Sequence, residues 1–119
     1  MSRVSELLAW QWRGYATYHR DRRNLLVHIV AVPLFLAASV LLALGVVRLS
    51  AAPIVGGLVG VALSVMVQAR GHRLERTPPA PFTGPANLIG RLVLEQWVTF
   101  PRFVVTGAWW RSFRAAPLS

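Results

Sequence analysis

Two uninterrupted apolar stretches dominate the chain. Residues 24–47, NLLVHIVAVPLFLAASVLLALGVV, contain one imidazole and no charge. At 1.5 Å of rise per residue they reach roughly 36 Å, enough to cross a bilayer core. After a short turn, residues 51–68, AAPIVGGLVGVALSVMVQ, form a second apolar run just long enough to cross back. The pattern therefore predicts an antiparallel helical hairpin. Pro33 has no N–H to give the Ile29 carbonyl, so a kink is expected in the first helix. Gly56 and Gly60 have the small-xxx-small spacing that lets backbones approach closely, either inside the hairpin or between copies in a homo-oligomer.

The flanks are amphipathic rather than uniformly apolar. Within residues 1–23, Val4, Leu7, Leu8, Trp12, Tyr15 and Tyr18 recur at helical intervals with Trp10 nearby, which predicts an interfacial helix. TPPAPFTGP reads as a loop, because its prolines supply no N–H to a helix or a sheet ladder. Residues 87–113 are mostly apolar, and Asn87, Arg91, Glu95, Thr99, Arg102 and Thr106 form a narrow polar stripe at three- or four-residue spacing. Charges at 91, 95, 102 and 111 with Pro101 between them argue against a third clean span and for a kinked interfacial or re-entrant helix. Trp97, Trp109 and Trp110 would anchor it among lipid headgroups. The expected fold is all-α, a single membrane domain over residues 1–119, built as an integral membrane hairpin with flanking interfacial or re-entrant helices.

Charge sharpens this picture. The net charge is +9, and all thirteen cations are arginine. They gather at the ends of the apolar runs: Arg13, Arg20, Arg22 and Arg23 precede the first, Arg70, Arg73 and Arg76 follow the second, and Arg48 alone lies between. The positive-inside rule then places both termini in the cytoplasm. The same distribution argues against nucleic acid as a partner, since the cations flank the lipid-facing segments and form no separate groove-sized surface. Arginine to the exclusion of lysine is a coding habit of GC-rich bacteria, so a bacterial inner membrane is the expected location. The first apolar run is about twice the length of a signal-peptide core and is expected to be retained.

Cysteine is absent, so no thiolate site can form and any metal must be held by nitrogen and oxygen. Folding the hairpin brings the start of its first helix and the end of its second to one membrane depth. All three histidines of the chain, His19, His28 and His72, fall in that layer. Asn24 precedes His28 by four residues and Gln68 precedes His72 by four, so each amide shares a helix face with its histidine. Glu75 follows three residues after His72. Such a set suits a divalent ion, iron(II), manganese or zinc, held by three imidazoles or by two with Glu75, with Asn24 and Gln68 orienting them. A proton-transfer site, or a polar cluster that only packs the hairpin, fits the same spacing. The arginines are mostly topology signals, and one or two of Arg20, Arg23, Arg73 and Arg76 are expected to clamp a substrate carboxylate as well. The chain has no Ser-His-Asp order, no haem-attachment motif and no phosphate-loop lysine beside GGLVG.

The stretches YHRDRRNLLVHIVAVP and QARGHRLERTPPAPF, separated by the hairpin, resemble the 2-hydroxy fatty acid dioxygenase family. That family comprises fungal endoplasmic-reticulum enzymes of alpha-oxidation and their bacterial relatives. The positions that carry the likeness are Tyr15, His19, Asn24, His28, Pro33, Gln68, Gly71, His72, Glu75, Pro79 and Ala80, and FPRFVVTG extends it to about residue 107. The glutamate follows its histidine by three residues here and by four in the fungal enzymes, spacings that share a helix face. The resemblance implies a membrane enzyme that uses iron(II) and O2 to shorten 2-hydroxy fatty acids by one carbon. It implies His19, His28 and His72 as metal ligands and Glu75 as a ligand or orienting acid. A non-catalytic membrane scaffold and a zinc-dependent membrane hydrolase are the competing expectations.

Overall fold

A computed structural model describes residues 2–116 and shows an all-α protein, with no strand among the described residues. Helix α1 spans Arg3–Tyr15, α2 Arg22–Arg48, α3 Ala51–His72, α4 Pro85–Leu94, α5 Phe100–Val105 and α6 Ala108–Ala115, with a π-helical turn over Glu95–Thr99 between α4 and α5.

The hairpin α2–α3 is the backbone of the molecule. Its helices extend past the apolar runs, α2 by two residues at its start and α3 by four at its end, so His72 is still helical. Leu49 takes a left-handed conformation (φ 51°), and Ser50 donates its backbone N–H to the Gly45 carbonyl at 2.9 Å, which closes the connection in two residues. Close contact depends on glycine within the hairpin. A Cβ at Gly57 would lie 2.7 Å from the Leu42 backbone, and one at Gly60 2.7 Å from the Ala38 Cβ. Gly56 faces outward, with only an ordinary contact to Leu41, so the seam runs through Gly57 and Gly60. α2 remains helical through Pro33.

The two amphipathic flanks converge on one end of the hairpin. Helix α1 is capped by Ser2, whose hydroxyl accepts from the Ser5 N–H at 3.1 Å, and it buries Gln11 and Tyr15. Tyr15, Leu25, Val32, Phe100 and Phe103 form the apolar core there, with Phe103 edge-on to Tyr15 at 5.0 Å between ring centres. The segment over 87–113, expected as one helix, is divided twice. Pro101 cannot donate to the Trp97 carbonyl and its ring crowds that carbonyl, and the wider π turn over Glu95–Thr99 accommodates both. Gly107, at φ 80°, then turns the chain so that α6 folds back onto the start of α2. The Trp109 indole donates to the Leu25 carbonyl at 3.0 Å, Ser112 to the His19 carbonyl at 2.7 Å, and Arg22 to the Phe113 carbonyl at 2.9 Å. Trp109 is thus a packing and hydrogen-bonding residue, whereas Trp97 and Trp110 are exposed.

A buried polar ladder ties α4–α5 to the hairpin. Gln68 and Gln96 exchange amide hydrogen bonds in both directions, at 2.8 and 2.9 Å. Gln68 also donates to Ser64, which donates to the Ala31 carbonyl at 2.6 Å. On the other side Thr99 donates to Gln11, whose amide donates to the Arg91 carbonyl at 2.9 Å. Every amide in this ladder has a partner, which is the condition under which buried polar groups hold one register and do not destabilise it.

Candidate metal centre

The turn between α1 and α2 carries His19, the first turns of α2 carry His28, and the last residue of α3 is His72. The hairpin brings the three imidazoles to a single point. Each ring centre lies 4.8 Å from the other two, and the rings stand at 79° to 90° to one another. Rings packed for their faces would stack; these present edges to a shared centre.

The hydrogen bonds around the rings decide which nitrogen faces that centre. His19 Nδ1 donates to the Tyr15 carbonyl at 2.7 Å, and His28 Nδ1 donates to the Asn24 carbonyl at 3.0 Å. A carbonyl only accepts, so both rings carry their proton on Nδ1 and leave the Nε2 lone pair free. His19 Nε2, His28 Nε2 and His72 Nδ1 are buried without a hydrogen-bond partner among the described residues. Three unpaired ring nitrogens in one buried place are costly unless something binds them.

The fourth member comes from a part of the chain that the sequence pattern did not attach to the site. Glu95, at the start of the π turn, places Oε2 3.5 Å from His19 Nε2 and 3.9 Å from His28 Nε2. One donor atom from each of His19, His28, His72 and Glu95 lies within 4.8 Å of the others, a group able to hold a metal ion. Tyr15 stacks on His19 with 3.9 Å between ring centres and donates its hydroxyl to Glu95 Oε2 at 2.7 Å. Burial alone would raise the Glu95 carboxyl, but the neighbouring His19 and His28 rings and the Tyr15 hydroxyl outweigh it and hold the carboxyl down to about 2. Burial, with the Glu95 charge and hydrogen bond, pushes the Tyr15 phenol well above its ordinary value. Tyr15 therefore remains a proton donor to an ionised carboxylate. Three imidazoles and one carboxylate are a donor set of the kind used by iron(II), manganese and zinc. The residues present thus fit a divalent ion.

Glu75 stands elsewhere. The backbone leaves the helix directly after His72, and the turn that follows points Glu75 back across the entry to α2. Its carboxylate accepts from the Arg20 N–H at 2.9 Å, the Asp21 N–H at 3.1 Å and the Asn24 side-chain amide at 2.7 Å. It clamps the loop that carries His19 and lies outside the four-residue group. Asn24 reaches the site through its backbone carbonyl on His28 and through this clamp. Its side chain packs where α3 has only a glycine, so a Cβ at Gly71 would run into Asn24 Oδ1. Gln68 is engaged by Gln96 and Ser64 and touches neither histidine by a hydrogen bond.

Beside the histidines a cavity of about 830 Å³ opens between α1, α3, α4 and the proline-rich strap that follows α3. His19, His72 and Glu95 line its inner wall, and Trp10, Val65, Ala69, Leu88 and Leu92 are among its apolar lining. Of the four arginines placed by sequence near a substrate carboxylate, Arg73 lines this cavity, and Arg13 and Arg91 do so as well. Arg23 is instead bonded to Asp21 at 3.0 Å.

Residues 5–107 match the family model described as 2-hydroxy-palmitic acid dioxygenase Mpo1-like. The chain belongs to that family. The matched region contains all four residues of the group and stops short of α6, the helix that buttresses His19 and Leu25. No curated protein and no solved structure matches the chain. The family description suggests a dioxygenase acting on a fatty acid, and the His/Glu group is compatible with the metal that such chemistry uses.

Proposed function

We propose that the protein is a membrane-embedded, iron(II)-dependent dioxygenase that uses O2 to shorten 2-hydroxy fatty acids by one carbon. The single observation that carries this reading is the meeting of three unpaired buried imidazole nitrogens with an ionised carboxylate at the wall of a largely apolar cavity. A packing cluster would pair those nitrogens with one another or with backbone, as the neighbouring glutamine ladder does. In the proposal His19, His28, His72 and Glu95 hold the ion.

Iron(II) bound by such a set supplies the one-electron chemistry needed to use O2. The protein supplies orientation and exclusion of water. The Tyr15 and Asn24 carbonyls fix the tautomers of His19 and His28 and keep both Nε2 lone pairs turned inward. The Tyr15 hydroxyl donates to Glu95 Oε2 and holds the carboxylate in place. The proline-rich strap, through Pro78, Pro79 and Ala80, covers the cavity beside His72.

The membrane location rests on the outer faces of α2 and α3. Both helices are long and apolar enough to cross a bilayer, and in their most apolar windows only 28% and 17% of residues are buried inside the fold. Val30, Leu34, Leu44, Val47, Leu58 and Leu63 are among the large side chains left outward. A helix from the core of a soluble protein would hide most of that surface. The site then sits at the cytoplasmic end of the hairpin, among the arginines that the positive-inside rule assigns to that side.

Protein purified in detergent and loaded anaerobically should bind about one iron(II) per chain, consume O2 only when a 2-hydroxy fatty acid is added, and release an acid one carbon shorter. Full activity with zinc in place of iron and with O2 removed would instead indicate hydrolysis. Absence of metal binding would leave a packing role.

A further inference from the structure

The cavity is apolar along most of its wall, yet one cation on that wall is held in a fixed orientation. Arg91, on α4, lies with its guanidinium 4.1 Å from the centre of the Phe82 ring and 5.0 Å from that of Trp10. One of its N–H groups donates to the Pro81 carbonyl at 3.2 Å, and the Glu95 carboxylate lies against His19 and His28, with no ion pair to Arg91 among the described residues. Arg13 and Arg73 line the same cavity but are exposed and have no aromatic support.

We propose that Arg91 anchors the carboxylate of a long-chain acid, so that the cavity takes its substrate head-group first and selects acids over their uncharged esters. The inference rests on the substrate class proposed above and adds the residue that recognises its charge. Arg91 and Glu95 are four residues apart on one helical face, about 6 Å along the axis. A carboxylate on Arg91 brings the carbons next to it to the inner wall formed by His19, His72 and Glu95, while Val65, Ala69, Leu88 and Leu92 offer apolar surface to the chain. A planar guanidinium held by two aromatic rings meets a carboxylate with two parallel N–H groups and little loss of side-chain freedom.

The test uses chelator-treated, metal-free protein, so that binding is read apart from turnover. Binding of 2-hydroxypalmitic acid and of its methyl ester is compared, above the pKa of the acid, for the unaltered chain, Arg91→Gln, Arg91→Lys and Arg73→Gln. The unaltered protein should bind the acid at least about ten-fold more tightly than the ester. Arg91→Gln should lose that preference while binding the ester within about two-fold of the unaltered protein, which reports an intact cavity. Arg91→Lys should recover part of the preference, and Arg73→Gln should keep it. An Arg91→Gln variant that still prefers the acid, or an Arg73→Gln variant that loses the preference, would overturn the assignment. Product formation is measured separately with iron-loaded protein. A chain that prefers the acid through Arg91 but makes no shortened product contradicts the reaction and upholds the anchor.

Discussion

His72→Ala is expected to weaken iron(II) binding by more than about 100-fold and to bring O2 consumption with 2-hydroxypalmitate down to background. Loss of a group that merely orients a ligand already costs about 10–100-fold in metal affinity, and loss of a ligand costs more. His72 is the appropriate ring to remove. His28 is wholly buried, so its truncation leaves a void whose destabilisation, about 2–5 kcal/mol for large-to-small core changes, would confound the measurement. His72 lies at the end of α3 and borders the cavity, where a truncated side chain leaves room for water. Helix content and thermal unfolding of the variant should match those of the unaltered metal-free protein. Turnover retained in a folded His72→Ala protein would remove this histidine from the site.

The second large effect separates the two glutamates. Glu95→Ala should abolish iron binding, because it removes the one carboxylate among the imidazoles and the acceptor of the Tyr15 hydroxyl. Glu75→Ala should keep about one iron per chain and lose stability instead, by about 1–3 kcal/mol, since two backbone N–H groups and the Asn24 amide lose their acceptor. The comparison is read by metal content and by denaturant unfolding on the same samples. Glu75→Ala protein that is stable but empty of metal, beside Glu95→Ala protein that binds it, would exchange the two roles.

That contrast also marks where sequence ceases to speak for structure. The hairpin was legible because a bilayer-length apolar run leaves few alternatives. The meeting of His19, His28 and His72 followed from it, since reversing the chain once brings the start of α2 and the end of α3 together. Glu75 attracted attention because three residues after His72 would share its helix face if the helix continued. The helix stops at His72, and the carboxylate swings round to the N–H groups of Arg20 and Asp21. Periodicity cannot register one missing turn of helix.

Glu95 was visible in another guise. It lies on the polar stripe that includes Asn87, Arg91 and Thr99, a pattern that an interfacial helix with one wet face also produces. What the stripe does not show is the wide turn that opens at Glu95, ahead of Pro101. Its extra residue changes the helical register by roughly 100°, and Gln96 and Thr99 are buried along with the site. Pro101 was a readable signal of a break in the helix, but which face of α4 meets α1 and α2, and so where Glu95 points, depends on packing between the helices. The same holds for α6, whose anchors at Leu25 and His19 are backbone carbonyls that carry no sequence signature.

The claim beneath all of this is that one ion is gripped by imidazoles from both arms of the hairpin together with Glu95. X-ray absorption at the iron edge of anaerobically loaded protein tests it most directly, because imidazole rings give a multiple-scattering pattern that counts them. Three imidazoles and at least one oxygen ligand are expected around a single iron, falling to two imidazoles in any His72→Ala protein that still retains metal after excess loading. A spectrum with at most one imidazole, or one unchanged by loss of His72, would contradict it.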